Sequence, residues 1–206
     1  MEEMIPASTR RLLLLSLLCL VSVTAQVIDF ESNGYRYKTQ TKNGLTIMFA
    51  ALPSHVRDYA ILQVAISNGS KIPYTLKPED FTFYREDGSA LPASPTRIVI
   101  NELIQKASRH DVIKLVTAYE NSIYGNSQYK STNGYESRRQ NALAETARIK
   151  AAAAASAIAL VTTKLTPGQS TDGAVFYANE GKPLGSGKLV VKIANMVFEF
   201  PMVQSN

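Results

Sequence analysis

With 206 residues, 45% of them hydrophobic, the chain is long enough to bury one sizeable core and too short for several independent domains. Its net charge of +5 is mild, and its 22 lysines and arginines are scattered rather than gathered in a stripe, so nucleic acid is not expected as a partner. The single cysteine, Cys19, lies in the N-terminal apolar stretch, so a chain processed beyond it has no disulfide, no thiol nucleophile and no thiolate metal site.

That stretch reads as a secretory signal. Arg10-Arg11 precede an apolar run from Leu12 to Val23, and Val23-Thr24-Ala25 place small residues where a signal peptidase reads. The run is short for a membrane span, which takes ~20 residues. Cleavage after Ala25 is expected, leaving residues 26–206 as one exported domain with no stable transmembrane span. An uncleaved anchor is the alternative.

Beyond the leader the pattern is that of strands and tight turns. Tyr35-Arg36-Tyr37-Lys38-Thr39 alternates with period two, Asn43-Gly44 marks a hairpin turn, and Leu45 to Phe49 returns. Tyr59 to Ile66 is apolar enough for burial on both faces of a central strand. Pro73 and Pro78 keep the next segment irregular or at a sheet edge. Asp80 to Tyr84 is a further strand, closed by a turn at Asp87-Gly88, and Pro92 and Pro95 end the β pattern.

Residues 96–161 change character. Ile98 to Ala107 carries apolar residues at helical spacing, and Ser108 with Asp111 resembles a capping box. Val112, Val116, Tyr119 and Ile123 share a helical face up to Gly125. A third helix is expected from Glu136 to about Val161, where the alanine run has the highest intrinsic helix propensity. The segment reads as a helical insertion of about three helices, docked by Val112, Val116, Tyr119, Ile123, Leu143 and Ile158.

After it the β pattern resumes. Thr162 to Leu165 leads to a Pro167-Gly168 turn, then Gly173 to Tyr177, then Leu189–Ile193 and Met196–Phe200 with Ala194-Asn195 between them at hairpin spacing. Ile61, Val64, Ile66, Phe81, Phe83, Leu165, Val175, Val191 and Phe198 are expected to be buried between two sheets. The fold class is therefore mostly β, an antiparallel sandwich with helices inserted between strands.

The strand Gln63 to Asn68 leading into a proline-bearing edge, the Asp80-Phe81 strand ending in Asp87-Gly88, and Leu165-x-Pro167-Gly168 followed by Gly173-x-Val175 and a final hairpin carry a resemblance. Over roughly residues 44–84 and 162–203 the chain resembles the immunoglobulin-like β-sandwich domains of bacterial exported proteins, many of unknown function. The insertion departs from that pattern. The resemblance implies a fold and a periplasmic or extracellular location, and it brings no catalytic signature.

Chemistry-bearing residues are sparse. Only His55 and His110 exist, and no Gly-x-Ser-x-Gly elbow is present. His110 and Asp111 with a serine are the one combination whose convergence would speak for a hydrolase. Glu79-Asp80 and Glu86-Asp87 read as solvated charge at strand ends. Met48, Met196 and Met202 read as core rather than copper ligands, and Gly181 to Gly187 as a loose connection rather than a phosphate cradle. No catalytic, metal or cofactor residue is expected.

The stretch from Tyr124 to Tyr135 mixes tyrosine with Ser, Asn and Gly, a composition that gives contact area together with adaptable hydrogen bonding. Tyr124, Tyr129 and Tyr135 are the candidate partner contacts. The expected function is that of an exported, non-enzymatic binding module whose partner is a protein or another envelope component. An exported hydrolase-like enzyme, or a structural accessory of a secretion or surface complex, is the alternative.

Overall fold

The structure, a computed structural model, describes residues 26–53, 55–106, 117 and 147–203. It is mostly β, with antiparallel sheets and few helices. The strands are β1 (Ile28–Ser32), β2 (Tyr35–Lys42), β3 (Leu45–Ala51), β4 (Tyr59–Asn68), β5 (Tyr74–Leu76), β6 (Phe81–Arg85), β7 (Ala90–Pro92), β8 (Thr163–Leu165), β9 (Ser170–Ala178), β10 (Gly187–Ile193) and β11 (Met196–Met202). Two helices interrupt them, α1 (Thr96–Lys106) and α2 (Ala147–Ile158). Both fall inside segments read as helical. Of the expected Ser108–Gly125 helix only residue 117, itself helical, is among the described residues, so two helices are described where about three were expected.

Turn chemistry fixes the first three strands. Asn33-Gly34 and Asn43-Gly44 both carry the paired positive φ values that match the right-handed twist of a hairpin. They join β1 to β2 and β2 to β3. In the last hairpin the positive φ falls on Ala194, not on Asn195.

One sheet has the order β1-β2-β3-β4-β9, a second the order β11-β10-β6-β7, and β5 pairs with β8 as a small ribbon. The two larger sheets share one core. Leu45, Ile47 and Phe49 of β3, Leu62, Val64 and Ile66 of β4, and Val175 and Tyr177 of β9 meet Phe81 and Phe83 of β6, Leu189 and Val191 of β10, and Phe198 and Phe200 of β11. The Phe49 and Phe200 rings meet edge-on, with centroids 5.0 Å apart.

A second core lies on the opposite face of the five-stranded sheet. Tyr59, Ile61, Ala174 and Phe176 pack there against Val99 and Leu103 of α1 and Ala155 and Ile158 of α2. Ile61 therefore corrects one expectation. It is buried, but beneath the helices rather than between the sheets, because strand period two sends Ile61 one way and Leu62 the other. β4 is central in this sheet and covered on both faces, as its apolar density implied. Ile158 docks as expected, alongside Val99 and Leu103; Val112, Val116, Tyr119, Ile123 and Leu143 lie outside the described residues.

Both ends of the helical segment are held at the edge of β9. Ser94 N donates to Phe176 O at 2.7 Å, and Leu160 N donates to Ala174 O at 2.9 Å. The close approach has a residue-level cause. A Cβ on Gly173 would sit 2.4 Å from Leu160 Cα, so only glycine lets the chain leaving α2 lie against this strand.

Asn68 ties the other end of the sheet. It is fully buried, and its Nδ2 donates to Ile72 O and Leu165 O, while its Oδ1 accepts from Ser70 N and Ser70 Oγ. One side chain thus satisfies four partners and locks the β4–β5 turn to the end of β8.

Candidate functional site

Tyr124, Tyr129 and Tyr135 lie outside the described residues, as do His110 and Asp111. His55 is exposed in the loop before β4. Glu79 and Asp80 sit in a 3-10 turn, where Asp80 Oδ2 accepts a hydrogen bond from Lys77 N at 2.8 Å, a local cap. Burial, the largest influence, raises the Asp80 carboxyl, and the bond from Lys77 opposes it.

Glu86 and Asp87 sit in the β6–β7 turn. Asp87 Oδ1 accepts from Ser89 N at 2.8 Å, and hydrogen bonding from Ser89 is what lowers its pKa. Met196 and Met202 pack at the border of the inter-sheet core, and Met48 is half-buried on β3. Among the described residues no three His, Cys, Asp or Glu side chains gather as a metal site, and no helix is long and apolar enough to cross a membrane.

A concave surface lies on the outer face of the four-stranded sheet. Alternation sends Phe83, Leu189, Val191, Phe198 and Phe200 inward, so Tyr84, Lys188, Val190, Lys192, Val197 and Glu199 face out. These, with Arg85, Glu86, Gly88 and Gly187, line a shallow depression of about 560 Å³. Gly187 shapes its floor. A Cβ there would lie 2.3 Å from Tyr84 O and 2.7 Å from the Phe83 ring, so a side chain would push β10 off β6.

The depression is mixed in charge and open to solvent. Lys188 Nζ and Glu199 Oε1 are 3.3 Å apart, both half-exposed, a pair worth at most about 1 kcal/mol and easily exchanged for a ligand's charges. Arg85 is fixed more firmly, its Nη2 donating to Asn179 Oδ1 at 2.9 Å and its Nη1 to Ser89 Oγ at 3.3 Å. Val197 supplies exposed apolar surface among these charges, and Val190 lies nearly buried beneath the lining. Such a surface suits contact with a polar, partly apolar partner. In sequence these two strands look like a plain hairpin; the signal for a surface is Lys188, Lys192 and Glu199, which recur at positions that alternate with the core residues.

No protein-family model, curated protein or solved structure matches this chain.

Proposed function

We propose that the chain is an exported, non-enzymatic binding module of the cell envelope or extracellular space, built as an immunoglobulin-like β-sandwich that carries a helical insertion. The strand order supports the fold assignment. With β3, β4 and β9 taken as A, B and E, and β11, β10, β6 and β7 as G, F, C and C′, the strand orders are compatible with the A-B-E and G-F-C-C′ orders of that fold, β1 and β2 extending the first sheet beyond A. The helices then occupy the connection between C′ and E.

The observation that carries the functional reading is the anchoring of the insertion. Its two ends are bonded to the Phe176 and Ala174 carbonyls of one strand, and its helices share a core with β4 and β9. The described helices at either end thus belong to the packed scaffold, and binding residues concentrate on the connections that such a scaffold carries. Tyr124, Tyr129 and Tyr135 are the proposed contacts, with a protein or other envelope component as partner.

The test is capture of partners from envelope extract by the full chain and by the Tyr124→Ala, Tyr129→Ala, Tyr135→Ala triple variant. Loss of a specific captured species, with the melting temperature held within about 2 °C, supports the reading. Undiminished capture by the triple variant sinks it and moves the contact onto the sandwich.

A further inference from the structure

β1 ends the five-stranded sheet, and among the described residues no strand lies beyond it. Ile28, Asp29, Phe30 and Glu31 are all exposed, Ile28 at 57% and Phe30 at 37%. An end strand offers a row of backbone donors and acceptors to any chain that can lie alongside it, and proteins blunt such rows with proline, short length, lysine or a covering segment. The other ends of the two large sheets are treated in these ways. β9 is bridged by Ala159 and bonded by Ser94. β7 is three residues long and ends in Pro92. β11 contains Pro201, and its Val197 carbonyl accepts from Lys42 Nζ.

β1 is protected differently, by Asp29 and Glu31. In a two-fold antiparallel pairing of β1 with a second copy, each register that keeps the sheet faces aligned opposes residues of equal parity. Asp29 then meets Asp29 or Glu31 of the copy, or Glu31 meets Glu31, and like charges directly opposite are destabilising. The same charges that refuse a copy select a different occupant.

β2 shows what that occupant looks like. Against β1 it sets Tyr37 opposite Phe30, Lys38 opposite Asp29 and Arg36 opposite Glu31. The Phe30 and Tyr37 rings stack with centroids 5.2 Å apart, and Lys38 pairs with Asp29. A strand on the far side of β1 meets the same two faces, one apolar through Ile28 and Phe30, the other acidic. We propose that the outer edge of β1 receives an extended peptide strand from a partner, its residues alternating basic with aromatic or apolar, as Tyr35-Arg36-Tyr37-Lys38 do in β2. Main-chain hydrogen bonds hold such a strand, and the alternate side chains select it. The residues of this surface do not include the tyrosines of the insertion.

The probe is a capped synthetic peptide with the sequence of residues 35–41, titrated into the isotopically labelled full chain and followed by amide NMR shifts and fluorescence anisotropy. Three comparisons accompany it: a peptide with both basic residues changed to glutamate, and two peptides N-methylated on alternate amides along one edge or the other. The expected result is shifts centred on residues 27–33, at least ten-fold weaker binding of the glutamate peptide, and loss of binding for one N-methylated peptide only. The Asp29→Lys, Glu31→Lys variant should reverse the preference between the two charge forms. The milder Glu31→Gln variant, which keeps the Asp29–Lys38 pair, should weaken binding of the basic peptide. The Tyr124, Tyr129, Tyr135 triple variant should bind the peptide as the parent does. Equal binding of the two charge forms, equal tolerance of both N-methylated peptides, shifts away from β1, or a dimer by light scattering at the same concentration would each overturn the proposal.

Discussion

Tyr59 Oη donates a hydrogen bond to Glu102 Oε2 at 2.8 Å, and this contact joins β4 of the sheet to α1 that covers it. Tyr59 also meets Phe176 edge-on, with centroids 6.3 Å apart, so one side chain bridges two strands and a helix. Burial first, then the Glu102 bond and the Glu102 and Asp58 charges, hold its phenol well above the ordinary value. A bond to a charged acceptor in a partly buried setting is worth about 1.5–3 kcal/mol. Tyr59→Phe should lower the unfolding free energy by about that amount in urea titrations. A double-mutant cycle with Glu102→Gln should return most of it as coupling. A coupling near zero would show that α1 docks through Val99 and Leu103 alone.

Tyr177 presents the opposite case. It is fully buried in the inter-sheet core, and among the described residues its hydroxyl has no hydrogen-bond partner. Leaving a hydroxyl unmatched costs about 1–3 kcal/mol, so Tyr177→Phe should raise stability by about 1 kcal/mol or more at neutral pH. Burial raises the phenol above its reference of 10.0, and Tyr59 is raised as well. The folded state thus keeps protons that the unfolded chain releases, so the contribution of these two phenols to stability is constant below about pH 10 and falls as pH rises beyond it. The Phe variant should show a shallower alkaline decline. A variant less stable than the parent at pH 7 would reveal a partner for the hydroxyl.

Gly173 is required by contact rather than by an unusual backbone angle. Its added Cβ would lie 2.4 Å from Leu160 Cα and 2.5 Å from Leu160 N, and backbone does not yield as a flexible side chain does. Gly173→Ala should cost about 3 kcal/mol by forcing Ala159 and Leu160 off β9. The neighbouring Ala174, which faces the helices, makes a control site. Faster amide exchange at Leu160 in the Gly173 variant would localise the damage, and an unchanged denaturation midpoint would contradict it.

The export reading has its own measurement. Expression with Met1 to Ala25 intact should yield a mature species whose intact mass begins at Gln26, two residues before β1. A product that keeps Met1, or one confined to the cytosol, would refute cleavage after Ala25.

What the sequence made legible was local. Asn43-Gly44, Asp87-Gly88 and Pro167-Gly168 each announce a turn, and β2, β3, β4, β6, β9, β10 and β11 stand where alternation places them. β1 is hard to see in the sequence although Asn33-Gly34 offers the same signal as Asn43-Gly44, because its five residues are mostly exposed and carry no core-facing alternation. β7 is hidden because Pro92 argues against a strand, a rule that relaxes at sheet edges. The side on which Ile61 is buried depends on which layer lies over each face of β4, and that is set by α1, α2 and β9, far away in sequence. The depression on β6, β10 and β11 was hidden for a related reason, since it is made of residues that become neighbours only when β10 pairs with both strands. Its charged residues were visible, their adjacency was not.

The strand order also determines how the chain must be assembled. β4, β5 and β6 all precede residue 107, and each finds a neighbour in β9, β8 or β10, all of which follow residue 146. Neither half holds a finished sheet. A chain delivered from its N-terminus exposes the flanks of β4 and β6 until the last hairpin arrives, and sequence-distant pairing of this kind is slow. Three interlocking ladders also mean that the peptide link between the helices need not be intact once folding is done. A nick in that link would leave all three ladders in place, so that a protease acting there would cut the chain without separating the strands they join.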